Sequence, residues 1–202
     1  LFYRQQLQWL GGMGIIVLAV AVLPLLGVGG MELYHAESSG IAKDRLTPKL
    51  RNTAIALWKI YLSLTVLCAL GYFLSGMTIF DAVSHSFSTV AIGGFSTHDA
   101  SIGYFNSISI EMVAMFFMFL AGINFSLHFL AWNNKSLIDY IKDSEFKTYA
   151  MVLFASSVIV IIALGLNSEY GSSIETIRHS LFQTISIATT TGYTSQSFSS
   201  WP

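Results

Sequence analysis

The chain has 202 residues, of which 53% are hydrophobic and only 10% are charged. Soluble domains carry about 25% charged residues. A larger core cannot explain the low charged fraction here, because so short a chain still has a large surface to cover. The composition therefore excludes an ordinary soluble protein and predicts that lipid covers much of the surface. A formal net charge of −1 gives no electrostatic basis for binding nucleic acid.

Four stretches are apolar and long enough to cross a bilayer, which takes about 20 helical residues. Pro24 predicts a kink in the first stretch, of a kind that packed membrane helices tolerate. The four predicted spans are Trp9–Leu33, Thr53–Leu74, Phe105–Trp132 and Thr148–Leu166.

Basic residues predict the orientation of these spans. The segment Ser75–Tyr104 contains no Lys or Arg, whereas the segments before the second span and after the third are basic. Because loops rich in Lys and Arg stay in the cytoplasm, we expect the basic loops inside and Ser75–Tyr104 outside. The cytoplasmic loops are predicted to hold Lys43, Arg45, Lys49 and Arg51, and then Lys135, Lys142 and Lys147.

Two segments outside the spans have an unusual pattern. Thr78–Val90 and Thr176–Ala188 are amphipathic over about three helical turns, and each runs into a stretch of small Gly, Ser and Thr residues. Both segments are predicted to be short re-entrant helices that end in a glycine-containing loop.

These two segments belong to an internal repeat. A shift of 98 positions places Ser88 on Ser186 and Gly94 on Gly192, and it also superposes the second span on the fourth. Each unit is therefore expected to contain a helix, a re-entrant helix, a loop and a closing helix. The chain is expected to be a fragment with a closing helix at 1–34, a complete unit at 50–135 and an incomplete unit at 146–202.

A re-entrant loop with a glycine suggests an ion filter. Irregular backbone at membrane depth is tolerated only where protein buries it or water reaches it. In a filter, successive backbone carbonyls replace the hydration shell of the ion. Pointing them the same way requires left- and right-handed conformations in alternation, which glycine adopts easily. The negative end of the preceding helix also favours a cation.

Three runs resemble the Trk/Ktr family of potassium uptake proteins, and the resemblance covers essentially the whole chain. Ser84–Asp99 is similar to the second pore loop of the family, and Leu181–Tyr193 is similar to the third. Arg4–Ile16 resembles the helix that follows the first pore loop.

The resemblance implies an all-α membrane protein in which four helix–pore helix–helix units form a potassium-channel-like pseudo-tetramer. Gly94 and Gly192 match the filter glycines of the family. Carbonyls that contact potassium are implied at Ile92, Gly93, Gly94, Thr190, Thr191 and Gly192, and flanking positions at Ala91, Phe95, Thr189 and Tyr193. By the same resemblance, the first and fourth filter strands are expected to lie outside this chain.

The resemblance also implies partners and a location. It predicts a homodimer in the bacterial inner membrane that binds cytosolic nucleotide-binding regulatory subunits of the TrkA type. Potassium is then the transported substrate, no cofactor is expected, and the protein is not an enzyme.

Other readings of the same residues are less favoured. A sodium-permeable relative stays open, because one glycine per strand constrains the ion weakly. A secondary transporter would need inverted repeats, which are not found. Ser96–Asp99 holds protease residue types, but adjacent residues cannot form a triad.

Two further expectations concern polar side chains. Asp81 and Asp99 are expected to be solvated carboxylates near the outer mouth. Asn124 and His128 lie four residues apart on one helix face. A buried polar pair is one interpretation, and interhelical hydrogen bonding is the favoured one.

Overall fold

The computed structural model describes residues 1–12, 43–166, 173–197 and 201. Most of the predicted first span, with Pro24 and the closing helix assigned to 1–34, lies outside the described residues. Residues 167–172 and 198–200 of the unit assigned to 146–202 lie outside them as well. The described part of the chain contains helices and loops and no β-strand.

The helices are numbered here in chain order. A 3₁₀ helix lies at Ser101–Phe105. The α-helices are α1 (residues 2–12), α2 (Lys43–Leu74), α3 (Ile79–Val90), α4 (Ile108–Ala121), α5 (Phe125–Asn134), α6 (Ile138–Lys142), α7 (Ser144–Leu166) and α8 (Ser173–Ala188).

Two of the predicted spans are confirmed as continuous apolar helices. Ala54–Leu74 within α2 has 21 residues and a mean hydropathy of 1.8, and Ser144–Leu166 has 23 residues and a mean hydropathy of 2.5. At 1.5 Å per residue both helices are long enough to cross the hydrocarbon layer.

The third predicted span, Phe105–Trp132, is apolar enough to cross a membrane only when two helices are taken together. The chain bends by 90° between α4 and α5, so the apolar stretch is divided into two helices. Asn124 starts α5, because its side-chain oxygen accepts a hydrogen bond from the Ser126 backbone N–H at 2.9 Å. A side chain at Gly122 would meet the hydroxyl of Tyr149 at 2.5 Å, which explains the glycine at the bend.

The bend leaves the Phe119 and Leu120 carbonyls at the end of α4 without their regular helical hydrogen bonds, although the Leu120 carbonyl still accepts a bond from the Ile123 N–H at 3.1 Å. Tyr149 donates its hydroxyl to the Phe119 carbonyl at 3.1 Å, and His128 Nε2 is hydrogen-bonded to the Leu120 carbonyl at 3.0 Å. Side chains thus replace the missing helical bonds, as an apolar surrounding requires.

Asn124 is exposed, so it does not form a buried pair with His128. The favoured role of interhelical hydrogen bonding is confirmed, because Asn124 donates to Glu145 of α7 at 3.3 Å and His128 Nδ1 is hydrogen-bonded to the Tyr140 hydroxyl of α6 at 2.7 Å.

The two predicted re-entrant segments are both helical. Thr78 caps α3 by accepting a hydrogen bond from the Asp81 backbone N–H at 3.1 Å, and α3 ends at Val90. The second segment, α8, ends at the matching position Ala188. α3 packs between α2 and α4, while α8 packs against α7 and α4.

Both short helices bury polar faces rather than purely apolar ones. Ser84, His85 and Ser88 of α3 are completely buried, and so are Ser180 and Ser186 of α8. Two of these side chains, Ser88 and Ser186, are hydrogen-bonded to the backbone beyond the ends of their helices. Such bonds supply partners to backbone that lacks regular secondary structure. The apolar core around them includes Cys68, Tyr72, Met118, Phe182 and Tyr193.

One ion pair joins α4 to α8 inside the molecule. Glu111 is only 1% exposed, and Arg178 reaches its two carboxylate oxygens at 2.7 and 2.8 Å. Arg178 also donates to the Asn106 side chain at 3.3 Å. The closing helix of one repeat is therefore fastened to the short helix of the next by a two-point charged contact.

We predict that Arg178→Gln lowers the free energy of unfolding by about 3–5 kcal/mol, because it leaves the buried Glu111 carboxylate unpaired. Glu111→Gln is expected to have a smaller effect, because Arg178 is partly exposed. The double variant is expected to lose less than the sum of the two single variants. The melting temperature of the full-length protein in detergent measures this, with Asp99→Asn as an exposed control.

Losses of the two single variants that add up to the loss of the double variant would contradict a coupled pair.

A candidate ion filter at two matched loops

Two loops with the same backbone conformation follow the two short helices. The first loop is Ala91–Phe95, after α3, and the second loop is Thr189–Tyr193, after α8. Positive φ angles occur at Ile92 (56°) and Gly94 (66°), and at their repeat partners Thr190 (61°) and Gly192 (86°). The residue between each pair does not have a positive φ, so the conformations alternate within each loop.

The left-handed residues include two for which this conformation is unfavourable. Ile92 and Thr190 are β-branched, and a strained backbone of this kind costs of order 1–3 kcal/mol per residue. Such a conformation persists only where surrounding contacts fix it, which makes both loops candidate functional elements.

A serine at the same repeat position fixes each loop. The carbonyl of Ser88 accepts from the Gly93 N–H at 2.7 Å, and the carbonyl of Ser186 accepts from the Thr191 N–H at 2.9 Å. The hydroxyl groups of the same two serines are hydrogen-bonded to the loop two residues further along the chain. Ser88 Oγ accepts from the Phe95 N–H at 2.7 Å, whereas Ser186 Oγ donates to the Tyr193 carbonyl at 2.7 Å.

The two loops touch each other at one glycine. A Cβ atom added to Gly94 would overlap the Thr191 carbonyl oxygen, so Gly94 allows the two backbones to lie in contact. A Cβ atom on Gly192 would meet no other described atom within 4 Å. Thr190 and Gly192 are exposed, while the first loop from Ala91 to Gly94 is half-buried.

Tyr193 ties the second loop to the helix before the first. Its side chain is completely buried, and its hydroxyl donates to the His85 carbonyl at 3.2 Å. Thr89 Oγ1 in turn lies 3.4 Å from that hydroxyl and 2.8 Å from the hydroxyl of Tyr72. This flanking residue therefore sets the distance between the two repeats.

Asp81 fastens the chain beyond the first loop, which corrects the expectation of a solvated carboxylate. Only 8% of it is exposed, and it accepts hydrogen bonds from Thr97 Oγ1 at 2.6 Å and Thr78 Oγ1 at 2.8 Å. His98 Nε2 lies 3.4 Å away. Burial by itself raises the pKa of Asp81, but the hydrogen bonds from Thr97 and Thr78 outweigh it and leave this pKa below its usual value.

The second repeat has a fastening at the same positions with different chemistry. His179, the repeat partner of Asp81, is hydrogen-bonded through Nδ1 to Ser195 Oγ, at 2.9 Å. Ser195 is the partner of Thr97. One turn further along the helices, His85 is bonded to Ser96 Oγ at 2.9 Å, and the matching Gln183 donates to the Gln196 carbonyl at 2.9 Å.

Two glutamines of α1 also contact the first loop, and the sequence pattern did not single them out. Gln5 is completely buried and donates to the Phe95 carbonyl at 2.7 Å. Gln8 Nε2 lies 3.4 Å from the Gly93 carbonyl, a long contact to one of the carbonyls assigned to potassium. Their spacing of three puts both on one face of α1, which was the available signal.

Paired apolar spans, short helices between them and matched left-handed loops at their ends define a pore-loop membrane protein. Within the described residues, no group of three or more His, Cys, Asp or Glu residues could hold a metal ion. The oxygen atoms at the loops come from backbone carbonyls and from hydroxyl groups, which suit a hard monovalent cation.

Comparisons with known proteins identify the family. A family model described as TrkH, a cation transport protein, matches residues 1–202. The Trk system potassium uptake proteins TrkH of Halomonas elongata and Escherichia coli K12 are 54% and 52% identical to the whole chain. The chain belongs to the TrkH family of cation transport proteins.

A solved structure has the same fold. The crystal structure of the potassium transporter TrkH from Vibrio parahaemolyticus matches all of this chain with a TM-score of 0.84 and 47% sequence identity. The match covers 40% of that transporter, and this chain spans 42% of the length of the two relatives above. The expected all-α, channel-like fold class is confirmed.

We predict that Asp81→Asn lowers the free energy of unfolding by about 1–3 kcal/mol, because Thr97 and His98 lose a charged partner. Thr97→Val is expected to have a smaller effect in the same direction. Thermal melting of the full-length protein measures both.

Asp99→Asn is the matched control, because Asp99 is an exposed carboxylate of the same segment. If Asp81→Asn melts like this control, the contacts of Asp81 do not stabilise the loop.

Proposed function

We propose that the whole protein takes up potassium across the bacterial inner membrane, as the transmembrane subunit of a Trk-type system. The first and second loops are two strands of its selectivity filter. The proposal rests chiefly on one observation, the left-handed backbone at the same two positions of each repeat, Ile92 and Gly94 in one and Thr190 and Gly192 in the other. Similarity to proteins named as potassium uptake proteins supports the choice of ion.

The proposed chemistry is an exchange of water for backbone oxygen. A potassium ion that enters the filter loses part of its hydration shell, and carbonyl oxygens take the place of the water molecules. The proposed ligands are the carbonyls of Ile92, Gly93, Gly94, Thr190, Thr191 and Gly192, supplemented by strands from outside this chain. Each strand lies at the C-terminal end of a short helix, whose partial negative charge favours a cation.

The fixed loops explain how such a filter keeps its shape. Ser88 and Ser186 hold the strands from behind, and Tyr193 holds the two repeats at a set distance. Preorganised oxygens need not rearrange when the ion arrives, so hydration energy is replaced at little cost in reorganisation.

The proposed orientation follows from charge. The loops at Lys43–Arg51 and Lys135–Lys147 face the cytoplasm, and the first and second loops are entered from outside. A homodimer with cytosolic nucleotide-binding subunits of the TrkA type completes the proposed assembly. The short helix α6 and the start of α7 lie in the second basic region and would face those subunits.

We predict that Gly94→Ser and Gly192→Ser both lower rubidium uptake and raise the ratio of sodium to rubidium. A left-handed non-glycine residue costs about 1–2 kcal/mol, which corresponds to roughly a ten-fold effect for Gly192→Ser. Gly94→Ser is expected to have the larger effect, because its side chain would also overlap the Thr191 carbonyl. Uptake by cells that express the full-length protein measures both ions.

Gly76→Ser is the matched control, since Gly76 also has a positive φ (106°) and open space around it but lies outside both loops. It should leave ion preference unchanged. The filter assignment would be wrong if neither loop variant altered flux or preference, and high sodium flux in the unmodified protein would favour a sodium-permeable relative.

A further inference from the structure

A groove runs along α2 beside α5 and α6, away from both loops. Two adjoining cavities of about 390 and 520 Å³ form it, and both are lined by Ile60, Ser63 and Trp132. Leu64, Leu67 and Ala131 add further apolar surface to the larger cavity. Trp132 is 71% exposed, so a large aromatic face stands open at the side of a membrane span.

The charged groups of the groove have one sign. Lys59 lines the smaller cavity and Lys135 the larger, while no carboxylate lines either one. Both lysines are exposed, and neither forms an ion pair within the described ranges 1–12, 43–166, 173–197 and 201. Asp139 lies close in sequence, but its carboxylate accepts a hydrogen bond from the Asn134 side chain at 2.9 Å.

Hydroxyl groups accompany the lysines. Ser63, Ser136 and Tyr140 line the larger cavity together with Lys135. The Tyr140 hydroxyl is held in place by His128 Nδ1 at 2.7 Å. The groove therefore combines an apolar floor with cationic and hydrogen-bonding groups, which is the chemistry of a lipid tail joined to an anionic headgroup.

We propose that this groove binds an anionic phospholipid of the cytoplasmic leaflet. An acyl chain lies along Ile60, Leu64 and Leu67, and Lys59 and Lys135 contact the headgroup phosphate. The proposal rests on the orientation proposed above, which places both lysines on the cytoplasmic side. Lysines near that surface attract anionic lipids, and tryptophan prefers the depth of the headgroups.

Charge favours a lipid over a segment of protein as the occupant. An apolar protein segment on the floor of the groove would leave Lys59 and Lys135 without an anionic partner, whereas an anionic lipid brings a phosphate and an apolar tail in one molecule. The groove also lies beside a helix that is long and apolar enough to span the membrane.

The test uses the full-length protein in detergent, titrated with phosphatidylglycerol or phosphatidylcholine and observed by native mass spectrometry. The unmodified protein should bind phosphatidylglycerol in preference to phosphatidylcholine. Lys59→Gln/Lys135→Gln should lower the phosphatidylglycerol affinity by roughly 25-fold and leave the phosphatidylcholine affinity unchanged, since each lysine contributes roughly a five-fold effect.

The matched control is Lys142→Gln/Lys147→Gln, which removes two exposed lysines of the same region from outside the groove. It should change the affinity by less than two-fold. Equal losses in the two double variants would indicate diffuse surface attraction and overturn the proposal, as would a preference that survives loss of Lys59 and Lys135.

A second measurement does not depend on the lysine variants. The difference in fluorescence between the unmodified protein and Trp132→Phe gives the emission of Trp132. In vesicles of brominated phosphatidylglycerol, the bromine atoms should strongly quench this Trp132 emission. If this emission is not quenched, protein rather than lipid covers Trp132 and the proposal fails. Neither measurement depends on ion transport, so failure here is distinguishable from failure of the proposed ion filter.

Discussion

The fold depends on side chains that supply hydrogen bonds to irregular backbone within an apolar surrounding, where water does not supply them. The two loops and the bend at Gly122 all leave the regular helical pattern within an apolar chain. At each of them a side chain from another element replaces the missing partner: Ser88 and Ser186 at the loops, and Tyr149 at the bend. This need explains why short helices in so hydrophobic a protein bury serines and a histidine.

The strained backbone of the loops requires the polar side chains that lie behind them. Left-handed Ile92 and Thr190 are unfavourable by themselves, so the loops would relax if they were held only by apolar packing. Hydrogen bonds have direction and length, and they fix a backbone more narrowly than dispersion contacts do. The bonds from Ser88 and Ser186 therefore select one shape for each loop. The contact of Gly94 with the Thr191 carbonyl then fixes the two shapes against each other.

Periodicity predicted most of the fold, because helices that face lipid must be apolar over their whole length. The two short helices and the positions of the loops also followed from pattern and repeat. The bend at Gly122 did not, since the apolar run from Phe105 to Trp132 continues through it and only the capping by Asn124 reveals the break. Gln5, Asp81 and Glu111 were missed because partners 90, 16 and 67 residues away decide their roles.

In both repeats, a hydrogen bond joins the start of the short helix to the chain beyond its loop. The two repeats share the position of this bond but not the residue types that form it. Asp81 binds the hydroxyl of Thr97, and His179 binds the hydroxyl of Ser195, at corresponding positions of the two repeats. A carboxylate and an imidazole differ in charge, but each can form a hydrogen bond with a hydroxyl group that lies beyond the loop. The constraint is thus the distance between the start of each short helix and the far end of its loop. Any residue that spans this distance with a hydrogen bond satisfies it, so the two repeats can differ in sequence at these positions.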